Sequence, residues 1–235
     1  MAASKYESPT AYKPGGTAIL ARNAITSAIR NHTRDRMGRW ASISVTTKST
    51  KNIRIISAYQ VCDNIRPGST TASSQQQAQI IEEASSNNST YRQQPRQAFI
   101  HDLQVFIQQL QAANEDIILV GDFNEEMVET DSKIEGLAVT CGLADLFSIR
   151  LGSPNIPATY QRGSRRLDFV LMTPSLLPHV QAAGYDPFGY RLPSDHRGMY
   201  IDFSTTTLLQ QELAALAPAD KRDFSSTTPE VVAKY

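Results

Sequence analysis

The chain has 235 residues, of which 40% are hydrophobic, so it is long enough to bury the core of one large domain. Lysine and arginine together number 23, as do aspartate and glutamate, so any nucleic-acid binding must come from a local basic face and not from overall charge. The cysteines Cys62 and Cys141 form no Cys-x-x-Cys pair, which argues against a disulfide framework or a zinc ribbon and favours a reducing compartment.

The first elements along the chain are predicted to be a polar segment and three strands. Residues 1–14 are polar and contain two prolines. A glycine pair then predicts a turn that leads into a short strand over residues 17–20. Two further strands are predicted over residues 40–46, where large apolar residues alternate with small or polar ones, and over residues 53–59, which are rich in β-branched residues. The turn-like residues between these two strands predict a hairpin.

The middle of the chain predicts a loop, a helix and a buried strand. Residues 62–90 are dominated by Ser, Thr, Gln and Asn, which predicts a long loop with a short Gln-rich helix near residues 75–82. Between residues 92 and 114, apolar side chains recur every three or four positions, which predicts an amphipathic helix packed on a sheet. The apolar, β-branched run 117–120 is typical of a strand buried on both faces, and Gly121 is expected to end it.

The C-terminal part predicts one more helix, two strands and a tail. The helix is predicted over residues 133–141, and the strands over residues 167–172 and 198–203. A helical piece around residues 208–216 and a polar end predict a linker over 204–235, so that the domain proper covers residues 15–203. No apolar run approaches the roughly 20 residues that cross a bilayer, and no signal peptide is visible. We therefore expect an intracellular protein with no membrane partner.

Asp122 and Asn124 are the strongest chemical signal, because they follow the buried strand at a sheet edge, where side chains project into a cleft. An ionised carboxylate can accept a proton from water, and a neutral amide can donate a hydrogen bond to a phosphate oxygen. The two roles are complementary in phosphodiester hydrolysis. Taken alone, the same residues are explained equally well as turn formers after a strand.

Two other segments carry acidic groups and a histidine. Asp195 can ligate a hard cation, and His196 can stabilise developing charge or protonate a leaving group, although a lone Asp-His pair is more often a surface loop feature. Asp168 lies inside an apolar strand, where an unpaired charge is costly, so it should have a cationic partner. His196 is the natural candidate, and a nearby arginine is the alternative.

Three segments, in this order, resemble the endonuclease/exonuclease/phosphatase superfamily: Gly121-Asp122-Phe123-Asn124, Arg166-Leu167-Asp168-Phe169 and Ser194-Asp195-His196. That superfamily shows a Gly-Asp-x-Asn segment, then an Arg-aliphatic-Asp-aromatic segment, then Ser-Asp-His near the end of the domain. Three ordered motifs are far more specific than one. The resemblance looks closest to the endonuclease domain of non-LTR retrotransposons, from the general look of residues 12–17 and a helical tail that would lead toward another domain.

The resemblance implies a role for each matching side chain. Asp122 would orient or deprotonate the attacking water, and Asn124 would hold the scissile phosphate. His196, paired to Asp168, would face the phosphate. Asp195 would help to bind the divalent cation.

Tyr59 matches an aromatic position after a strand in the middle of the superfamily's domain. Its phenol could donate a hydrogen bond to a phosphate oxygen, and a packed tyrosine at a strand end is an equal alternative. Arg39, Arg162, Arg165 and Arg166 could contact backbone phosphates, although exposed arginines near loops are usually only solvated. None of the four is assigned a catalytic role.

The chain also departs from the superfamily at its N-terminus. The superfamily begins with a strand that carries an Asn and a second strand that ends in Gln-Glu, whose Glu is a principal metal ligand. This chain has only a short polar segment upstream of Gly15, and Glu7 sits in no strand-like context. We therefore expect the N-terminal part of the domain to be missing, the metal site to be incomplete and the turnover to be low.

The resemblance implies an α/β fold, namely a four-layer αββα sandwich of two mixed β-sheets flanked by helices. It further implies a phosphodiesterase that depends on Mg2+ or Mn2+, and the retroelement-like features favour a DNA endonuclease that nicks its substrate. Two alternatives stay open: hydrolysis of a small phosphoester such as an inositol phosphate or sphingomyelin, and nucleic-acid binding without turnover. A retroelement origin would add a reverse transcriptase, fused or separate, as a partner and the nucleus as a location.

Overall fold

A six-stranded mixed β-sheet organises the fold. The computed structural model describes residues 16–63, 70–86, 94–127, 131–190, 193–210 and 213. The strands of the sheet are β1 (Ile29–Arg34), β2 (Trp40–Val45), β3 (Asn52–Tyr59), β4 (Glu115–Asp122), β5 (Ala144–Asp145) and β6 (Asp168–Met172). Their spatial order is β1-β2-β3-β4-β6-β5, and neighbours are antiparallel except for the parallel pair β3 and β4. A second sheet consists of the antiparallel strands β7 (Val180–Tyr185) and β8 (Met199–Phe203).

Helices connect and flank these strands. The α-helices in the described ranges are α1 (Ala72–Ser86), α2 (Pro95–Ala112), α3 (Lys133–Thr140), α4 (Leu146–Leu151) and α5 (Thr205–Leu209). Helix α2 begins at a proline, which suits a first helical position because the missing N–H would have no partner there. Helix α3 is capped by Ser132, whose hydroxyl accepts a hydrogen bond from the Glu135 N–H. None of these helices is both long and apolar enough to cross a bilayer.

One face of the large sheet packs against α2 and α3. The α2 side chains Phe99, Leu103 and Ile107, spaced by four residues, are completely buried against this face. They meet strand residues such as Ile56 and Leu119. Each such burial contributes about 1.5–3 kcal/mol, so this layer of helices anchors the central strands.

The opposite face of the large sheet packs against the small sheet, α4 and α5. Strand β4 supplies both cores, because Ile117 and Leu119 face the helices whereas Ile118 faces the small sheet. This alternation follows the two-residue period of a strand. The prediction of two sheets flanked by helices is confirmed, although the small sheet is antiparallel and not mixed.

The strand predicted over residues 17–20 is wrong, since Ile19 forms only an isolated bridge. The strand that pairs with β2 is β1, and its alternation is masked by polar residues at exposed positions. A strand at the edge of a sheet pairs on one side only, so it does not need two apolar faces. Strand β7 was not predicted from the sequence either, because small residues and Gly184 stand where a strand usually has β-branched residues.

The described part of the region predicted as a long loop is mostly helical. Helix α1 extends beyond the predicted residues 75–82, and its Gln76, Ile80 and Ala84 are buried at four-residue spacing. The high content of Ser and Gln makes this row of buried residues hard to recognise in the sequence. At the C-terminus, Leu209 of α5 is buried in the core beneath the small sheet, so the domain continues past residue 203. Residues 1–14 and most of the predicted tail lie outside the described ranges.

Gly121 lies inside β4 and does not end it. A Cβ at this position would lie 2.1 Å from the Ala58 carbonyl oxygen of the neighbouring strand β3. That oxygen belongs to the backbone, so a side chain at position 121 could be accommodated only if the two central strands moved apart. Glycine therefore permits the close approach of β3 and β4.

We expect Gly121→Ala to lower the free energy of unfolding by about 2–3 kcal/mol, because it strains the two central strands. Gly136→Ala is a matched control, since a Cβ at Gly136 in α3 would meet nothing within 4 Å. The control should be neutral or stabilising by up to about 1 kcal/mol, because alanine favours a helix more than glycine does. Urea unfolding followed by circular dichroism measures both variants. Equal stability of the Gly121→Ala variant and the wild type would contradict the close approach.

Candidate active site

The register of the large sheet places three predicted site residues in one row. Tyr59 at the end of β3 is the partner of Asp122 at the end of β4, and Asp122 is the partner of Asp168 at the start of β6. Side chains that are direct neighbours across strands lie on the same face of a sheet. The row therefore presents a phenol and two carboxylates side by side.

His196 completes this row from a separate loop. Its Nδ1 lies 2.9 Å from Oδ2 of Asp168, and its Nε2 lies 3.9 Å from Oδ2 of Asp122. The loop is fixed by a β-bridge between Tyr160 and His196, whose rings are 5.2 Å apart. The predicted pairing of Asp168 with His196 is thus present, and the alternative arginine Arg166 pairs elsewhere.

The close carboxylates and partial burial shift the ionisation of the site. Burial, reinforced by the charge of Asp168, raises the pKa of Asp122 from 3.8 to about 6, against the opposing hydrogen bonds of Asn124. The hydrogen bond that His196 donates to Asp168 is the main cause that raises the pKa of His196 above its usual value. Burial raises the pKa of Tyr59 to about 12, so that its phenol stays protonated as a donor. The site therefore holds a weakly acidic carboxyl beside two proton donors.

Asn124 is locked in place beside Asp122. Its φ of 48° is in the left-handed region, which asparagine tolerates better than most residues. Its side-chain amide donates to the Gln60 carbonyl oxygen at 2.7 Å and to Asp122 Oδ2 at 3.2 Å, and its Oδ1 accepts from the Cys62 thiol at 3.1 Å. Because both amide hydrogens have acceptors, Asn124 must exchange one of them to bind a phosphate oxygen.

An open cleft of about 990 Å³ is lined by Tyr59, Asp122, Asn124 and His196, whereas Asp168 is buried and does not line it. Asp195 lies in the same cleft with its side chain 42% exposed, and Arg162 Nε is 3.7 Å from its Oδ2. Arg165 also lines the cleft, so two of the four arginines considered above are near the site. Arg39 is not one of them, because it is buried and paired with Asp35 and Asp102.

The remaining arginine, Arg166, points away from Asp168. Its guanidinium binds both carboxylate oxygens of Asp145 at 2.6 and 2.7 Å and lies over the Phe169 ring. These contacts hold the segment before β6 against α4. Arg166 therefore helps to fix the start of β6, which carries Asp168. It does not line the cleft, so it is not placed to reach a substrate there.

Asp122, Asp168 and His196 could together hold a metal ion, because their ligand atoms all lie within 4.8 Å of one another. Carboxylate oxygens suit a hard divalent cation, and an imidazole nitrogen is tolerated better by Mn2+ than by Mg2+. A cation between the carboxylates would also offset the repulsion that raises the pKa of Asp122. Asp195, the predicted ligand, faces the same cleft but is not one of these three residues. The donor set fits a divalent cation, and the assignment of Asp195 stays a prediction.

Sequence reasoning missed several side chains around the site, among them Gln60, Cys62, Arg96 and Glu125. Cys62 and Arg96 line the cleft, and Gln60 and Glu125 lie buried behind it. Arg96 comes from the first turn of α2, far from the motifs along the chain. A local pattern around Arg96 could not have indicated its contact with Glu125, whereas the position of Glu125 directly after Asn124 was a usable signal.

The sequence matches the profile of the Endonuclease/Exonuclease/phosphatase family over residues 3–196. No curated protein sequence matches the chain. Among solved structures, it is similar to the 3′ phosphatase NExo from Neisseria bound to a product DNA hairpin, with 14% identity over 74% of this chain and 71% of that one and a TM-score of 0.49. It is also similar to the AP endonuclease LMAP from Leishmania major, with 14% identity over 71% of this chain and 55% of that one and a TM-score of 0.48. A third similar structure is the endonuclease domain of TRAS1, a telomere-specific non-LTR retrotransposon, with 18% identity over 77% of this chain and 68% of that one and a TM-score of 0.40.

Proposed function

Because the chain belongs to the endonuclease/exonuclease/phosphatase family, we propose that it is a divalent-metal-dependent phosphodiesterase that nicks DNA. The observation that carries this proposal is that ligand atoms of Asp122, Asp168 and His196 lie within 4.8 Å of one another, with Asp122 and His196 lining one open cleft. The family as a whole acts on phosphoester bonds. That this chain acts on DNA and has a retroelement origin is what we propose beyond the family's general activity.

Asp122 is the group that prepares the attacking water. A carboxylate with a pKa of about 6 is ionised near neutral pH, yet it holds a proton more firmly than an ordinary aspartate does. A general base works best when its pKa is close to the working pH. The burial of Asp122 and its proximity to Asp168 therefore make it a better base than a solvated aspartate.

His196 faces the reacting phosphate with its Nε2. Asp168 occupies the Nδ1 side of the ring, which fixes the orientation of the imidazole and favours its protonated form. A protonated Nε2 can donate to a phosphate oxygen and stabilise the negative charge that develops there. Tyr59 and Asn124 would supply further neutral donors to the same phosphate.

Asp195 would help to hold the divalent cation. When bound, the cation would offset negative charge on the phosphorane-like transition state. Mg2+ normally requires only one or two protein carboxylates together with substrate oxygens. The residues near the cleft can supply that number.

DNA is the substrate class that we propose, on the grounds that the cleft is open and that two arginines lie at its border. A cleft of about 990 Å³ that is open to solvent can admit a polymer. Arg162 and Arg165 border it and could contact phosphates next to the scissile one. A fused or separate reverse transcriptase and a nuclear location would accompany a retroelement origin and are part of the same proposal.

The test is nicking of supercoiled plasmid by the 235-residue chain, with Mg2+ or Mn2+ and with EDTA. We expect slow conversion to open circles that falls at least about tenfold in EDTA, because the transition-state charge then lacks its counterion. Release of phosphate from an inositol phosphate and hydrolysis of sphingomyelin are measured in parallel. Undiminished nicking in EDTA would contradict the metal dependence, and faster turnover of a small phosphoester would contradict the assignment to DNA.

A further inference from the structure

The buried carboxylate of Glu125 binds the N-terminus of α3. Its Oε1 accepts from the Ser132 hydroxyl at 3.1 Å and from the backbone N–H groups of Lys133 and Ile134, the latter at 3.3 Å. Burial disfavours the charged carboxylate, but these hydrogen bonds, with others, lower the pKa of Glu125. Glu125 is therefore a charged group inside the protein with a helix N-terminus as one of its partners.

The other oxygen of Glu125 binds two side chains, namely Arg96, which lines the cleft, and Gln60, which is buried behind it. Its Oε2 accepts from Arg96 Nη2 at 2.9 Å and from Gln60 Nε2 at 3.3 Å. Arg96 also donates to the Val61 carbonyl oxygen at 2.9 Å, and Gln60 Nε2 donates to the Phe123 carbonyl oxygen at 2.7 Å. Glu125 thus connects the segment that follows β3 with the segment that follows β4.

These two segments carry the residues that would contact the phosphate. Tyr59 precedes Gln60 directly, and the Gln60 backbone donates to the Asp122 carbonyl oxygen and accepts from the Asn124 amide. The Cys62 thiol joins the two segments again at Asn124 Oδ1. Glu125 itself does not line the cleft, so any effect on a substrate must pass through its partners.

We infer that Glu125 is a positioning residue of the proposed hydrolase, which holds Asn124 and the Tyr59–Cys62 segment in contact with each other at the edge of the cleft. The inference rests on the proposed function, because Asn124 and Tyr59 are the residues assigned there to the phosphate. Small displacements of such groups weaken catalysis strongly, since productive geometries tolerate little misplacement. A role restricted to capping α3 is the alternative.

Two substitutions distinguish the contacts of Glu125 with Arg96 and Gln60 from the capping of α3. Glu125→Gln keeps an oxygen for the α3 N-terminus but presents an NH2 group to Arg96 and Gln60, which are themselves donors. Ser132→Ala removes the hydroxyl that caps α3 and leaves the contacts of Glu125 with Arg96 and Gln60 intact. Thermal unfolding of each variant shows whether it is folded at the assay temperature.

Two readouts are measured on the folded variants: kcat and KM for plasmid nicking, and the rate of thiol labelling by iodoacetamide. The labelling rate reports Cys62, because Cys62 is exposed and Cys141 is buried. For Glu125→Gln we expect kcat to fall about tenfold through misplacement of Asn124, with labelling several-fold faster once Cys62 loses its partner. Ser132→Ala should match the wild type in kcat and in labelling.

Wild-type kcat and labelling in the Glu125→Gln variant would overturn the inference. Equal losses in both variants would overturn it too, because they would trace the effect to the stability of α3. If the wild-type chain hydrolyses no phosphoester at all, the proposed function fails. The labelling comparison would then still decide whether Glu125 holds the two segments together.

Discussion

Asp122→Asn is expected to remove most of the nicking activity and to stabilise the folded protein at neutral pH. Loss of a general base lowers turnover by roughly 10²-fold or more. The stabilisation follows from burial and from the nearby charge of Asp168, which together raise the pKa of Asp122 to about 6. An uncharged amide of the same size avoids both penalties.

The raised pKa of Asp122 determines how the stability of the folded protein changes with pH. The folded pKa of Asp122 lies above the ordinary aspartate value of 3.8, so the folded state binds this proton more tightly than the unfolded state. The resulting stability is fully present below the unfolded pKa and is lost as the pH rises through the folded pKa. At neutral pH the charged side chain therefore costs roughly 3 kcal/mol, with the opposing effect of the Asn124 hydrogen bonds already included. The advantage of Asp122→Asn should shrink at about pH 5, where the wild-type carboxyl is mostly protonated.

The measurements are kcat for plasmid nicking and the melting temperature at both pH values. Asp116→Asn is the matched control, because Asp116 is an aspartate of the same strand β4 but is buried and pairs with Lys51 at the other end of the strand. The control should lose stability and keep its turnover. If Asp122→Asn nicks DNA at the wild-type rate, the assignment of Asp122 as the base is wrong.

The second large effect is expected at His196 and its partner Asp168. His196→Ala should lower kcat by roughly 10²-fold or more, because the transition state loses a charged donor. Asp168→Asn removes the acceptor 2.9 Å from Nδ1, so the imidazole loses both its orientation and the main cause of its raised pKa. Since the two residues would act as a unit, the double variant should be little worse than the worse single variant.

Steady-state nicking by the two single variants and the double variant tests this unit. His101→Ala is the control, because His101 is exposed on α2 and pairs with Asp102 outside the cleft. We expect the control to keep wild-type kcat. Losses that multiply in the double variant would show that His196 and Asp168 work independently.

The amino-acid sequence by itself indicated the elements whose pattern is local. Helix α2 follows from its apolar spacing, and the β2–β3 hairpin and strands β4, β6 and β8 follow from their apolar or β-branched runs. The three ordered motifs identified the family, which the match over residues 3–196 confirms. The individual catalytic roles stay predictions, because they depend on a substrate and a cation.

The tertiary structure decided how distant segments meet. The row of Tyr59, Asp122 and Asp168 depends on the register of three strands, and the contact of Asp168 with His196 joins residues 28 positions apart. Strands β1 and β7 and most of α1 were also decided at this level, since their partners lie elsewhere in the chain and supply the apolar surface that their own sequences lack. Glu125 shows the same limit, because local periodicity specifies which side of an element is buried but not which distant donors it will meet there.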